Sequence, residues 1–513
     1  MPAEPRVPHV LSRRQAVSLL SAGALFAPVG WAEVLEQATR TGSDALCYAS
    51  LEDVARRIMA HELSPVGLTR QMLERIAAVD PRLKSYATVM RDQAMADATA
   101  AAKEIASGHY RGPLHGVPIA VKDLCFTKGV RTMGGTAVLR NFVPTYDATV
   151  VSKLHSAGSV LLGKLNLSEG ATAGYNPAFD VPLNPWRADR WPGMSSSGSG
   201  VATAAGLCFA SIGTDTGGSI RNPASANGVV GLKPTYGRVS RYGVLAMSPS
   251  LDHVGTLARR VADAAIMLDA IAGYDPMDPT SLNVPPPNAR VQLALGVKGM
   301  RLGVDRKYAL EGIGKEHAAA LEAALEVMTK LGARIVDVRM PDLTGLVDTW
   351  MAICSSEIVA VHAANYPSHA QEYGPCMREF LAEGARVTLQ QLAAAKKHRT
   401  ELSAAFDQML ESVDAMAGPA GGDPAWPITH ALQVGPLPAF HKAWSAAAPR
   451  SAEFTMPMDL AGVPAICLPC GFSSDGLPFS IQFSGRRLSE VTLCRIAYAY
   501  EQATSWHDRH PPV

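Results

Sequence analysis

Two serines and a lysine stand out by type and spacing. Ser219 follows two glycines in Gly213-Thr-Asp-Thr-Gly-Gly-Ser-Ile-Arg-Asn-Pro-Ala224. Ser195 lies 24 positions upstream, in Gly193-Met-Ser-Ser-Ser-Gly-Ser-Gly200. Lys122 is the only lysine in the apolar run Val117-Pro-Ile-Ala-Val-Lys-Asp123. A hydroxyl nucleophile needs a proton acceptor and a pocket of backbone N–H donors for the charge that develops on the substrate oxygen. These three segments can supply all of it, and the chemistry they point to is serine-dependent hydrolysis.

The glycine pair before Ser219 permits a tight turn with positive φ. Such a turn aligns the backbone amides of Thr216, Gly217, Gly218 and Ser219 towards one point, as an oxyanion hole requires. An anion-binding turn uses the same geometry, but the G-x-x-x-x-G-K-[ST] pattern of a nucleotide site is absent. No G-x-S-x-G elbow occurs, and the 14 histidines are not placed near the glycine-rich runs. His115, just before the lysine run, reads as structural. Burial lowers a lysine's pKa and lets its neutral amine accept a proton, which makes Lys122 the candidate base. Taken alone, a lysine paired with Asp123 or Asp215 fits equally well. Asp215 and Arg221 read as an ion pair holding the turn, and Ser196, Ser197 and Ser199 as partners of local backbone groups.

These residues need a frame. Ser50-Leu-Glu-Asp-Val begins a capped helix, and two more are expected through Val66–Val79 and Asp92–Ala106, with a break at Asp80-Pro81. Short apolar runs at Val117–Val121 and Val160–Gly163 read as buried strands. They alternate with helical stretches at Ala148–Ala157 and Val261–Ile271, which argues for an α/β sheet with helices on its faces. Residues 275–300 read as a surface loop. Strands at Met300–Val304 and Ala333–Val338 flank a helix at Lys315–Leu331. Residues 343–450 are mostly helical and positioned to cover a pocket, with Trp350, Met351 and Tyr366 as roof. Strands at Ala465–Pro469 and Pro478–Phe483 and a helix from Ser489 close the chain.

Taken together, the three segments resemble the amidase signature family, whose members use a Ser–cisSer–Lys triad. The likeness runs through Gly193–Pro234, including Gly231-Leu-Lys-Pro-Thr-Tyr-Gly-Arg238, and extends from about Ser50 to Glu501-Gln-Ala-Thr-Ser-Trp506. It takes in Asp459-Leu-Ala-Gly-Val-Pro-Ala465. The resemblance implies that Lys122 is the base, Ser195 the bridging cis-serine and Ser219 the nucleophile. It implies an α/β fold with a mixed central sheet covered by helices on both faces, and hydrolysis of a carboxylic amide C–N bond through an acyl-enzyme. No metal or other cofactor is required. Met194 departs from the family, which usually has glycine there. Met194, Tyr175 and Asn176 are candidate substrate contacts, with Pro177 and Phe179 in the same segment. An amidotransferase subunit of the same fold, a hydrolase preferring carbamates or esters, and a silent binding protein are the competing readings. The expected partner is a small-molecule amide, with a homodimer allowed.

Composition sets the outer bounds. With 513 residues, 47% apolar and 18% charged, the chain can bury a large core. Its net charge of +1 and lack of a basic run exclude a nucleic-acid footprint. The eight cysteines are mostly scattered among apolar neighbours. Cys467-Leu-Pro-Cys470 has no second C-x-x-C, and His507-Asp-Arg-His510 has the wrong spacing to complete a zinc site. In a strand, residues three apart face opposite ways, so the pair reads as structural. At the N-terminus, Ser12-Arg-Arg-Gln-Ala-Val17, the uncharged run to Val29 and Gly30-Trp-Ala32 have the order of a twin-arginine export signal. Residues 1–32 are thus expected to be a leader and 33–513 a single domain, exported or periplasmic, without stable membrane association after processing. A first helix of a cytoplasmic enzyme is the other reading of that segment.

Overall fold

The computed structural model describes residues 45–513. Ser50–Val513 make one compact unit, and a helical turn at residues 45–47 belongs to the unit before it. The expected leader, residues 1–32, lies outside the described residues.

Eleven strands form one sheet: β1 (Tyr86–Val89), β2 (Pro118–Lys122), β3 (Val160–Leu165), β4 (Ala210–Asp215), β5 (Val230–Lys233), β6 (His253–Ala258), β7 (Arg301–Val304), β8 (Arg334–Asp337), β9 (Ala415–Pro419), β10 (Ala465–Phe472) and β11 (Pro478–Ser484). Their spatial order is β1-β3-β2-β4-β6-β5-β10-β11-β9-β7-β8. The sheet is mixed. β2 runs parallel to β3 and β4, and β7 to β8 and β9, while β6, β5, β10 and β11 join through antiparallel pairs. β2, β3, β4 and β6 are buried at every position, as strands sandwiched between helices must be.

Local chemistry starts the helices. Ser50 caps Leu51–Met59 by accepting from the Asp53 amide at 3.0 Å, and Ser64 caps Pro65–Leu83, with Pro65 in the first turn where its missing N–H costs nothing. The expected break at Asp80-Pro81 does not occur, because the helix runs through Pro81 to Leu83. Pro81 falls in the last turn, and Lys84 closes the helix in the left-handed region with its amide on the Asp80 carbonyl. The Asp80 carboxylate then accepts from Ser85 and from the Tyr86 amide, turning the chain into β1.

The helix Val261–Ile271 lies where the sequence places it. Residues 343–450 are largely helical, with helices at Leu346–Val361, Pro375–Gly384, Leu389–Glu411 and Leu437–Ala447. They also contain β9, which pairs with β11 and β7 inside the main sheet. Among the described residues no helix is long and apolar enough to cross a membrane.

Candidate active site

β2 and β4 are parallel neighbours, with Val121 opposite Ile212, so their C-terminal ends open on the same side of the sheet. Lys122 ends one and Thr214 lies near the end of the other. The helix Ser197–Ala204 starts immediately after Ser195 and Ser196. It sits close because its glycines permit it: a Cβ on Gly198 would stand 2.4 Å from the Ser85 carbonyl oxygen. Ser199 Oγ donates to the Ile212 carbonyl at 3.0 Å and ties the helix to β4.

Lys122 is fully buried, and its Nζ has three hydroxyl partners: Ser195 Oγ at 2.7 Å, Ser196 Oγ at 2.9 Å and Thr214 Oγ1 at 2.9 Å. The two carboxylates near it in sequence and space are engaged elsewhere, Asp123 with Lys164 at 3.1 Å and Asp215 with Arg221 at 3.0 Å. Burial lowers the Lys122 pKa to about 7. Ser196 Oγ spends its own proton on the Thr214 carbonyl at 3.1 Å. Ser196 therefore does more than serve local backbone, and with Thr214 it completes a lysine environment that the sequence did not reveal.

The peptide between Met194 and Ser195 is cis. The Ser168 amide donates to the Ser195 carbonyl at 3.3 Å, and the Ser196 amide to the Ser219 carbonyl at 3.2 Å, so the two serine segments are joined through backbone. The Ser219 hydroxyl faces a cavity and has no protein hydrogen-bond partner among the described residues.

Beneath the Ser219 turn lies a buried charge cluster. Asp215 accepts from the amides of Gly218, Ile220 and Arg221 and from the Arg221 side chain, whose guanidinium also reaches Asp459 at 2.6 Å and Gln482 Oε1 at 3.0 Å. Burial opposes ionisation here, but Arg221 and these donors hold Asp215 well below the usual carboxylate range. Burial and the neighbouring Asp215 push Asp459 up. One member of the expected oxyanion set is thereby corrected. The Gly218 amide already serves Asp215, whereas those of Thr216, Gly217 and Ser219 have no acceptor among the described residues.

The cavity above Ser219 has a volume of about 210 Å³. Gly217, Ser219 and Met194 lie along it; Trp350 and Met351 come from the helix Leu346–Val361, Phe380 from Pro375–Gly384, and His441 and Trp444 from Leu437–Ala447. Its lining holds no Asp, Glu, Lys or Arg, and burial lowers the pKa of His441. Trp350 also donates from Nε1 to the Thr216 carbonyl at 2.8 Å, fastening the roof to the turn.

Tyr175 and Asn176 do not line this cavity. Asn176 is spent on structure, donating to Glu169 Oε1 at 2.8 Å and to the Glu372 carbonyl at 2.9 Å. Tyr175 is buried beside it with its amide on the Gln433 carbonyl. Pro177 is exposed, Phe179 borders a different cavity, and Tyr366 packs near Tyr373 behind the roof. His115 is buried and engaged with Glu104 and the Arg111 amide, a structural role. Cys467 and Cys470 are free thiols within β10. Cys467 Sγ lies 3.7 Å from the Arg221 carbonyl oxygen, and burial pushes its pKa up to about 12.

The amidase family model matches residues 67–494. The chain belongs to the amidase signature family. Among curated amidase relatives, AmiD of Mycobacterium tuberculosis is 42% identical over 92% of this chain and 98% of its own length. A glutamyl-tRNA(Gln) amidotransferase subunit of Geobacter metallireducens is 41% identical over 89% and 98%. Of solved amidase structures, the peptide amidase of Stenotrophomonas maltophilia superposes with a TM-score of 0.78 at 34% identity, covering 91% of this chain and 98% of that one. The mixed sheet flanked by helices is the fold of these amidases, and the protein is an enzyme that hydrolyses amide C–N bonds.

Proposed function

We propose that the protein hydrolyses carboxylic amides with uncharged, apolar acyl groups through an acyl-enzyme on Ser219. The observation that carries this reading is the buried Lys122 amine, its pKa brought to about 7, 2.7 Å from Ser195 Oγ. A neutral Nζ has two protons and one lone pair. It can donate to Ser196 and Thr214 while it accepts the proton of Ser195. Ser195 in turn takes the proton of Ser219 as Ser219 Oγ attacks the carbonyl carbon, and the amides of Thr216, Gly217 and Ser219 receive the oxyanion. The ammonium of Lys122 then returns a proton through Ser195 to the leaving nitrogen, and the C–N bond breaks. Water resolves the ester by the same relay, which leaves the carboxylic acid and a free Ser219 hydroxyl.

The cavity supports the choice of acyl group. Aromatic and apolar walls without a formal charge favour an aryl or alkyl amide, whereas glutamine, the ammonia source suited to an amidotransferase, would bring an ammonium and a carboxylate that find no charged partner. We extend the proposal to location. Arg13 and Arg14 before the uncharged run direct export by the twin-arginine route. Purified protein, assayed alone on neutral aryl and alkyl amides and on glutamine, is expected to turn over the former only. Glutamine hydrolysis at comparable kcat/KM would overturn the substrate class.

A further inference from the structure

A second cavity, of about 360 Å³, lies on the other side of the Ser219 cavity's wall. The two share Ala171 and Met247. The second cavity's inner end is polar: it reaches Thr214, whose hydroxyl accepts from Lys122 Nζ, and Asp252, which accepts from Thr216 Oγ1 at 2.6 Å. Its middle is walled by Val244, Ala246 and Val254, and Met277, 57% exposed, stands at its rim. The first cavity thus meets the turn at Ser219 and Gly217, and the second meets it from the lysine side.

We propose that the second cavity is the route by which the deacylating water reaches the acyl-enzyme. The proposal rests on the acyl-Ser219 reading above. With an apolar acyl group against its aromatic walls, the mostly apolar 210 Å³ cavity is a poor path for water, while an apolar amine still fits the place that the aniline leaves. The second cavity has a polar end beside the lysine and Met247 as its inner wall, an unbranched side chain with several rotatable bonds. Water entering past Met247 loses one proton to the Ser195–Lys122 relay as its oxygen bonds to the acyl carbon. The Ser219 Oγ–carbon bond breaks, and the relay returns that proton to Ser219 Oγ. Atoms and charge balance, with the carboxylic acid as the only new product.

The test uses the partition of the acyl-enzyme, which is independent of the rate-limiting step. Phenylacetanilide is turned over with benzylamine present, and phenylacetic acid and N-benzylphenylacetamide are counted. Benzylamine is the size of the leaving aniline and enters by the first cavity. Ala246→Phe fills the second cavity from its wall, and Met277→Trp narrows its rim from an exposed position that leaves the core untouched. Each is expected to lower the acid-to-amide ratio at least threefold relative to the native protein. An unchanged or increased ratio in Met277→Trp, with Ala246→Phe agreeing or failing to fold, overturns the second route. Absence of any benzylamide from the native protein overturns the acyl-enzyme reading itself, and the route with it.

Discussion

A buried lysine whose direct partners are hydroxyls, and whose charge Asp215 and Asp252 favour only from a distance, is held between two protonation states. Burial brings Lys122 to about 7, so the fraction of competent base rises with pH through that value. The native kcat/KM is expected to climb on its acid side with an apparent pKa near 7, and Lys122→Met should lose both that limb and nearly all activity. The same residue shapes stability in the same direction. Its folded pKa lies below the 10.5 of a free lysine, so the unfolded chain binds more protons between those values and stability gains with rising pH across that window. Below about pH 7 the penalty of a buried ammonium is fully present, and Lys122→Met should be more stable than the native protein there in denaturant titrations. Ser219→Ala removes the attacking oxygen and little volume, and should abolish turnover with an unchanged melting temperature. Residual hydrolysis above about a thousandth of native in a clean preparation would contradict Ser219 as nucleophile. Met194 borders the cavity, so Met194→Gly should alter the kcat/KM ratio between bulky and small acyl groups; an equal change for all substrates would place it outside the binding surface.

At the scale of elements, the glycine-rich turn is held from below by Asp215, Arg221 and Asp459 and from above by Trp350. Removing one member of a buried ionic cluster strands the others without solvent, at a cost of about 3–5 kcal/mol. Arg221→Met leaves Asp215 and Asp459 facing each other and should lower the melting temperature by several degrees while flattening the activity. Trp350→Phe keeps an aromatic ring but frees the Thr216 carbonyl. It should reduce kcat by about threefold to tenfold, the worth of one ordinary hydrogen bond, with KM nearly unchanged. Glu169 joins the loop before the cavity to the helical segment through Asn176 and the Gly374 amide at 2.8 Å. Burial raises it from 4.5 to about 7, so the folded state binds the extra proton between those values and stability falls as pH rises through them. The stability advantage of the native protein over Glu169→Gln should therefore shrink between pH 5 and pH 8.

Over the whole molecule, what could be read in the sequence was what is local. The lysine in an apolar run, the glycine pair before Ser219 and the helix Val261–Ile271 are each set by neighbours within a dozen residues. Pro81 misled because a proline in the last helical turn looks like one that ends a helix. β6 is buried on both faces and lacks the alternation that marks a half-exposed strand, and β9, Ala415-Met-Ala-Gly-Pro419, ends in residues typical of loops. Chain proximity to the serines suggests Tyr175 and Asn176 as substrate contacts but says nothing of Glu169, which engages Asn176 away from the Ser219 cavity. The cavity walls Phe380, His441 and Trp444 carried no sequence signal at all, since separate helices bring them together with the turn. Trp444→Ala should cost at least tenfold in kcat/KM on an aromatic amide, about 1.4 kcal/mol of lost contact, and less on acetamide.

Arg221 and the Asp459 that partners it are 238 residues apart in the chain, and β5 pairs with β10 across a similar interval. At ordinary rates of translation that interval is roughly 10 to 50 seconds, during which the nascent chain carries the guanidinium without its second carboxylate and a sheet open at β5. The turn bearing Ser219 is thus among the last parts of the protein to be completed, although it is encoded in the first half. A chain released before Asp459 lacks the piece that closes the turn, so the serine encoded early is framed only after synthesis has passed Asp459.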